Sequence, residues 1–208
     1  QILQTHNIDI PIITTLHGTD ITLLGKDKSF KSVIEYSINN SDKVSAVSES
    51  LRKETLENFN IKRSIDVVPN FIDSSLYFPE TDLSLRKKYA KDNEFIITHV
   101  SNFRRVKRVQ DVVYIFEKIR KKTPAKLLMI GDGPKRLQSE QLCRSLGLSK
   151  DVKYLGKLKI IEKILSISDI FLLPSEKESF GLVALEAMAS RVAIISSETG
   201  GLPEVNIN

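Results

Sequence analysis

Hydrophobic and polar positions follow two alternating patterns along the chain. Short runs rich in β-branched residues, typical of buried strands, are separated by longer segments in which apolar residues recur every three or four positions, as in amphipathic helices. This order predicts an α/β protein with parallel sheets, because parallel strands need a crossover connection between them. The predicted strands are PIITTLH (11–17), KVSAVS (43–48), SIDVVPN (64–70), EFIITHVS (94–101), KLLMIGD (126–132), VKYLG (152–156), DIFLLPS (169–175) and VAIISS (192–197).

Two of the intervening segments, FKSVIEYSI and VQDVVYIFEKI, show the helical pattern most clearly. Each places its apolar residues on one face, and we expect that face to pack against a sheet. The residues concerned are Phe30, Val33, Ile34 and Ile38 in the first segment and Val109, Val112, Val113, Phe116 and Ile119 in the second.

The alternation is interrupted between about residues 68 and 94, where turn-forming and charged residues are dense. We therefore predict two αβ units, residues 1–75 and 76–208, joined by this linker. The chain opens on what reads as the tail of a helix and stops at GGLPEVNIN, where a further helix should begin. We therefore expect a piece of a longer protein, in which the first unit and the extreme C-terminus are incomplete.

The composition is that of a protein that folds in water. Hydrophobic residues make up 41% and charged residues 27% of the 208 residues, which leaves little room for long disorder. No apolar run reaches the roughly 18 residues of a membrane span, and the first residues lack the pattern of a signal peptide. The single cysteine, Cys143, permits no internal disulfide and no cysteine-based zinc site. We therefore expect a cytoplasmic protein.

The net charge of +5 is compatible with nucleic acid, an anionic surface or a phosphorylated small ligand as a partner. A basic, solvated surface is the alternative. The cations are scattered apart from clusters such as RRVKR (104–108) and KIRKK (118–122), and no aromatic residues alternate with them as in a stacking platform for bases. The pattern therefore disfavours nucleic acid.

The motif LHGTD, residues 16–20, follows the first predicted strand. Open parallel sheets bind ligands beyond the carboxyl ends of their strands, so His17 and Gly18 stand at a position that favours chemistry. The alternative is that Thr19 or Asp20 caps the next helix and His17 is a turn residue. His6 and His99 are predicted to be structural, and no two histidines have a metal-ligand spacing.

The segment SNFRRVKR, residues 101–108, also follows a predicted strand. Its basic side chains, with backbone donors at the start of the next helix, would suit a diphosphate, and Lys107 would serve as a point charge. A solvated basic helix start is the alternative. The later GDGPKR, residues 131–136, lacks the third glycine and the acidic residue of a dinucleotide fingerprint. We interpret it as a tight turn that could border a nucleotide.

The segment EKESFGLVALEAMA, residues 176–189, contains two glutamates in different settings. Pro174 ends a buried strand, Glu178 lies in the following loop, and an apolar helix begins near Phe180 and contains Glu186. If the segment were helical throughout, the glutamates would stand about 12 Å apart, too far to share a proton. Two separate contacts to one elongated ligand fit better, with the free N–H groups of residues 179–182 between them for an anion. The alternative is that Glu178 complements the helix dipole and Glu186 faces water.

Together these segments resemble the retaining glycosyltransferases of family 4, which have the GT-B fold. That family carries two glutamates separated by seven residues at the helix of its donor site, as in ESFGLVALE from Glu178 to Glu186. It also has an HG motif at a strand end, a basic loop after the first strand of the second domain, a GDGP turn and a late GGLPE, matched here by residues 200–204. The order and spacing match along nearly the whole chain.

The resemblance implies two Rossmann-like domains, with an acceptor domain in residues 1–75 and a nucleotide-sugar donor domain in residues 76–208. TTLHGTDITLLG, VSNFRRVKR and NFIDSSLYFP are similar to the bacterial members that transfer N-acetylglucosamine from UDP-N-acetylglucosamine (UDP-GlcNAc) to the hydroxyl of L-malate in bacillithiol biosynthesis. The resemblance further implies retention of the α configuration, no required metal or other cofactor, and no nucleic acid, and it is compatible with a homo-oligomer. We expect the chain alone to be inactive, because the family's glycine-rich loop would precede it.

The resemblance also assigns roles by position. Glu186 would bind the ribose hydroxyls, Glu178 the hydroxyls of the donor sugar, and Lys107 the diphosphate, while His17 would lie against the donor sugar near the acceptor. The implied catalytic residues are His17 and Glu178; the donor site comprises Asn102, Arg104, Lys107, Gly131, Ser179, Phe180, Gly181, Leu182 and Glu186; and the acceptor site comprises Thr19, Asn102 and Arg104.

The sequence departs from the family's pattern at three positions. Most members have an arginine where this chain has Asn102, and Arg104 would take over its charge. Arg191 and Ala193 replace a glycine and a proline. The glycine normally permits a left-handed helix end, so Arg191 should cost about 1 kcal/mol of backbone strain. Two alternatives remain: a family 4 enzyme with another acceptor, such as a glycan, lipid or capsule, and a non-catalytic homologue that binds nucleotide sugars.

Overall fold

The computed structural model describes residues 10–22, 27–77 and 82–206. The chain divides into two compact units, of which the first comprises residues 1–70 with Glu178–Phe180 and the second residues 71–177 and 181–208. The helix tail predicted at the start of the chain, with His6, lies outside the described residues.

The first unit contains a parallel sheet with the strand order β1-β2-β3. Ser48 caps the third helix, since its side chain accepts a hydrogen bond from the amide of Leu51, and Asp27 caps the second by accepting from Ser29. The elements are β1 (Ile13–Leu16), α1 (Thr19–Thr22), α2 (Lys28–Asn39), β2 (Lys43–Ala46), α3 (Glu49–Asn58) and β3 (Ile65–Val67).

Helix α2 packs against the described part of this unit through its middle and its C-terminal end, where Ile34 is partly buried. Ile38 is buried, whereas Phe30 and Val33 on the same apolar face are exposed by 46% and 61% of their surface. The helix predicted here is confirmed, and its apolar face is exposed in the N-terminal turns within the described part of the chain. The apolar period identified the face, but it could not show how much of that face finds a partner.

The second unit contains a five-stranded parallel sheet with the order β6-β5-β4-β7-β8. The chain runs from β4 outward through β5 and β6, and then returns to place β7 on the other side of β4. The elements are α4 (Leu83–Lys87), β4 (Phe95–Val100), α5 (Val109–Arg120), β5 (Ala125–Ile130), α6 (Arg136–Ser145), β6 (Val152–Gly156), α7 (Glu162–Leu165), β7 (Ile170–Leu173), α8 (Leu182–Ala189), β8 (Ala193–Ser196) and α9 (Leu202–Val205), with short 3₁₀ turns at Ser74–Leu76 and Arg105–Lys107.

Both faces of this second sheet are covered. In β5, Leu127 and Met129 face a core that includes the predicted apolar face of α5, whereas Leu128 and Ile130 face a second core with Ile164. Successive residues of a strand point to opposite faces, so a sheet buried on both faces reads as a continuous apolar run. All eight strands predicted from such runs are confirmed within the described part of the chain.

Two helices of the second unit end in the same motif with different residues. At the end of α6, Gly147 has a φ of 71°, and the amide of Leu148 donates to Cys143 O at 2.8 Å. At the end of α8, Arg191 takes this position with a φ of 59°, and the amide of Val192 donates to Ala187 O at 3.0 Å. These are Schellman ends, and the left-handed conformation predicted at Arg191 is confirmed.

Among the described residues, each helix is too short or too polar to span a membrane.

Candidate functional site

Three segments with predicted site residues follow neighbouring strands of the second sheet. The basic loop (residues 101–108) follows β4, the glycine turn (residues 131–133) follows β5, and the loop of residues 174–181 follows β7. Because β4 and β7 are adjacent while their connections run to opposite sides, the carboxyl ends of these strands form the crevice where open α/β sheets bind ligands. The amide of Glu176 donates to Val106 O at 2.8 Å, which joins two of the segments directly.

The glycine turn supports the backbone of the basic loop. Gly131 and Gly133 have φ values of 120° and 157°. A Cβ on Gly131 would lie 1.8 Å from Ser101 O, and one on Gly133 would lie 2.0 Å from Asn102 O. These glycines therefore permit a backbone contact that no side chain would allow. The turn predicted here is confirmed, whereas the role of Gly131 at a nucleotide stays a prediction.

Phe103 anchors the basic loop in the core. Its side chain is fully buried, although its backbone is left-handed with a φ of 40°. The amide of Lys135 donates to Phe103 O at 2.9 Å. With this residue fixed, the side chains of Asn102 and Arg104 are exposed, and Lys107 is partly buried in the following 3₁₀ turn. The loop thus presents cations around an apolar anchor.

His99 connects this loop to the neighbouring strand. The fully buried ring lies with Nδ1 2.8 Å from Leu172 O and Nε2 2.8 Å from Ser101 Oγ. Since the carbonyl can only accept, Nδ1 carries the proton, and Nε2 accepts from the serine hydroxyl. Burial lowers the pKa of His99 to about 4, and the nearby charge of Lys107 acts in the same direction. The structural role predicted for His99 is confirmed.

Helix α8 begins two residues later than predicted, at Leu182 rather than near Phe180. Gly181 is its N-cap with a φ of 97°, a left-handed conformation that favours glycine. Because this conformation is not helical, the helix starts only at the next residue. In the part of the chain that the structure describes, no acceptor lies within hydrogen-bond distance of the amides of Leu182 and Val183. Phe180 is buried, while Glu178 and Ser179 are partly buried in the preceding loop.

Glu186 lies one turn into α8 and is held by a tyrosine that the sequence analysis missed. The hydroxyl of Tyr77 donates to Glu186 Oε1 at 2.9 Å, whereas Oε2 is buried and accepts no hydrogen bond from any described residue. Burial raises the pKa of Glu186, and the hydrogen bond from Tyr77 opposes that rise. Burial, followed by the contact with Glu186, raises the pKa of Tyr77 to about 12. The alternative that Glu186 simply faces water is therefore wrong.

The predicted residues of the first unit lie at the carboxyl end of β1. His17 is exposed, Gly18 is buried with a φ of 117°, and Thr19 begins α1 with an exposed side chain. Their catalytic and acceptor-binding roles stay predictions. Within residues 10–22, 27–77 and 82–206, no group of three or more His, Cys, Asp or Glu side chains could hold a metal ion.

Comparisons with known proteins place the chain in a family. A family model described as glycosyl transferases group 1 matches residues 82–208, and a model described as glycosyltransferase family 4 matches residues 2–76. The chain belongs to these glycosyltransferases. The N-acetyl-alpha-D-glucosaminyl L-malate synthase of Bacillus anthracis is 50% identical over 197 residues, which cover 94% of this chain and 52% of that protein. An uncharacterized glycosyltransferase of Methanocaldococcus jannaschii is 31% identical, covering 96% of this chain and 55% of that protein.

Solved structures agree on the fold. HepE of Anabaena, in complex with UDP and glucose, superposes with a TM-score of 0.87 at 21% identity, covering 98% of this chain and 57% of that one. A sucrose-phosphate synthase of Thermosynechococcus elongatus has a TM-score of 0.80 at 23% identity, with coverages of 96% and 53%. At this identity the likeness shows the fold alone, and the predicted GT-B architecture is confirmed. The chain spans about half the length of the curated relatives it matches.

Proposed function

We propose that the protein containing this chain is a retaining glycosyltransferase that moves N-acetylglucosamine from UDP-GlcNAc to the hydroxyl of L-malate. The observation that carries this proposal is the 50% identity to the L-malate synthase over 94% of the chain. The similarity includes both units, since it extends over 197 residues. Within the proposal, residues 1–75 belong to the acceptor domain and residues 76–208 form the donor domain.

The main electrostatic task of such a transfer is to stabilise the negative charge that grows on the departing UDP. Lys107, at the crevice between the ends of β4 and β7, supplies a cation for the diphosphate. The amides of Leu182 and Val183 at the start of α8, which have no acceptor among the described residues, supply backbone donors. Neither group depends on a metal ion, so metal independence is part of the proposal.

The remaining site residues bind either the two ends of the nucleotide sugar or the acceptor. Glu186 binds the ribose through its carboxylate, and Glu178 binds hydroxyls of the donor sugar. His17 and Thr19, at the end of β1, act near the acceptor. The exposed side chains of Asn102 and Arg104 face the diphosphate or the two carboxylates of malate, which need charged or hydrogen-bonding partners.

The test uses the full-length protein with UDP-GlcNAc and L-malate, with mass spectrometry of the products. We expect glycosyl malate to form together with UDP. If UDP is released and a different acceptor is glycosylated, the acceptor assignment is wrong but the enzyme class stands. If UDP binds and no acceptor is glycosylated, the chain belongs to a non-catalytic homologue.

The donor site is tested by calorimetry with UDP alone. Lys107→Ala and Glu186→Ala should each weaken UDP binding at least tenfold, as expected for charged hydrogen bonds. Lys122→Ala is the matched control. This exposed lysine lies between the end of α5 and the start of β5, at the amino ends of the strands and so on the side of the sheet opposite to the site. Equal affinity in all four proteins, including wild type, would show that the site lies elsewhere.

A further inference from the structure

We propose that Tyr77 is a positioning residue of the donor site, whose hydroxyl holds Glu186 Oε1 and thereby leaves Oε2 as the acceptor for the nucleotide. The inference rests on the proposed role of Glu186 and adds a residue that motif reasoning did not identify. Its basis is the asymmetry of the carboxylate: Oε1 has a partner at 2.9 Å, and Oε2 is buried with none among the described residues.

The position of the Tyr77 ring is set by the turn before it and by packing against the core. It follows the 3₁₀ turn Ser74–Leu76, whose N-cap Asp73 accepts hydrogen bonds from Ser75. The ring is partly buried against the core cluster that contains Ala184 and Ala187 of α8. Because the ring packs on a cluster that includes residues of the helix carrying Glu186, the direction in which the hydroxyl approaches the carboxylate is restricted. A phenylalanine would keep this packing and lose only the hydroxyl.

An unpartnered buried carboxylate oxygen is costly unless a donor arrives. Among the described residues, the titratable groups that act on Glu186 are the neutral Tyr77 and, from α7, Glu162, whose negative charge acts with burial to raise the pKa of Glu186. The hydrogen bond from Tyr77 opposes both by lowering the pKa of Glu186, and so favours the ionised carboxylate, which can accept from a ligand. A protonated Glu186 would turn one oxygen into a donor and lose this capacity.

The geometry also predicts how a ribose diol is recognised. One ligand hydroxyl can bind the unoccupied Oε2, whereas a second hydroxyl would have to share Oε1 with Tyr77. The two ribose hydroxyls of UDP should therefore contribute unequally to affinity. We expect one of the two monodeoxy analogues, 2′-deoxy-UDP or 3′-deoxy-UDP, to bind about tenfold more weakly than the other.

The experiment measures UDP affinity of the full-length protein by calorimetry between pH 5.5 and 8, for wild type, Tyr77→Phe, Glu186→Gln and the double variant. Tyr77→Phe should bind UDP about tenfold more weakly near neutral pH, and its loss of affinity on acidification should begin at a higher pH than in wild type. In the Glu186→Gln background the same substitution should have no further effect. Tyr114→Phe, which removes an exposed hydroxyl on α5, should match wild type.

Each outcome decides the inference. Wild-type affinity and pH dependence in Tyr77→Phe would overturn it, as would an equal loss in the Glu186→Gln background, because the tyrosine would then act independently of the carboxylate. UDP binding by wild type without malate glycosylation would contradict the proposed acceptor and leave the Tyr77 comparison valid. Absence of UDP binding by wild type would overturn both proposals. Melting temperatures of the variants separate misfolding from loss of the contact.

Discussion

The basic loop and helix α8 hold their functional side chains by different means. The loop is shaped by backbone contacts, with the carbonyls of Ser101 and Asn102 placed where Gly131 and Gly133 have no Cβ, and by a buried phenylalanine. In α8 the carboxylate of Glu186 is held by a single side-chain hydroxyl, that of Tyr77. A Cβ added at either glycine should therefore change the shape of the loop. Removal of the Tyr77 hydroxyl should release the carboxylate of Glu186 and leave the fold intact.

The largest effect should come from adding a methyl group at the glycine turn. Gly131→Ala places a Cβ 1.8 Å from Ser101 O, so the basic loop must move, at a cost of about 3 kcal/mol or more. Urea denaturation should show this loss, and calorimetry should show UDP affinity reduced at least tenfold. Gly147→Ala is the matched control: it has a φ of 71° but no atom within 4 Å, so only backbone strain of about 1 kcal/mol is expected. Equal stability of the two variants would contradict the backbone account.

The second effect concerns the pH dependence of stability. The folded-state pKa of His99 is about 4, below the ordinary 6.5, so unfolding takes up a proton and stability falls as pH drops from about 6.5 towards 4. This contributes a loss of about 2 kcal/mol between pH 7.5 and pH 5. Denaturation of His99→Asn at the two pH values should show a smaller loss by that amount. An equal dependence in wild type and His99→Asn would disprove the assignment.

A smaller effect lies at the end of α8. Arg191 has a φ of 59° in a position that favours glycine, so Arg191→Gly should raise the free energy of unfolding by about 1 kcal/mol. The reciprocal change, Gly147→Arg at the end of α6, should lower it by a similar amount. UDP affinity should be unchanged in both. A destabilised Arg191→Gly would mean that the arginine side chain makes a contact worth more than the strain.

The smallest effect is a gain in stability at Glu186. Because the folded-state pKa of Glu186 is raised from the ordinary 4.5, folding favours the protonated carboxyl, and stability falls as pH rises from that value through the folded one. Glu186→Gln removes this cost, so we expect a gain below about 1 kcal/mol at pH 7.5 together with weaker UDP binding. A loss of stability in Glu186→Gln would show that the ion contributes to the fold.

Most of the strands and helices could be predicted from short sequence patterns. β-branched runs located all the strands, and most clearly β4, β5 and β7, which are short and largely buried on both faces. The family's glycine position anticipated the left-handed Arg191. The contact between Tyr77 and Glu186 could not be found in the same way, since the two residues are separated by 109 positions and no spacing rule connects them. How much of the apolar face of α2 is covered could not be predicted for a related reason, because an apolar face does not indicate what packs against it.

His99 gives the basic loop a built-in spectroscopic reporter. Its Nδ1 proton is buried and bonded to the Leu172 carbonyl, so it should exchange slowly with solvent and give a resolved resonance in the imidazole region of a proton spectrum. The exposed His17 should lose its ring N–H signal by exchange. Because the other ring nitrogen of His99 accepts from Ser101 in the loop, a displaced loop would shift this one resonance. Ligand binding at the loop is thereby observable in unlabelled protein.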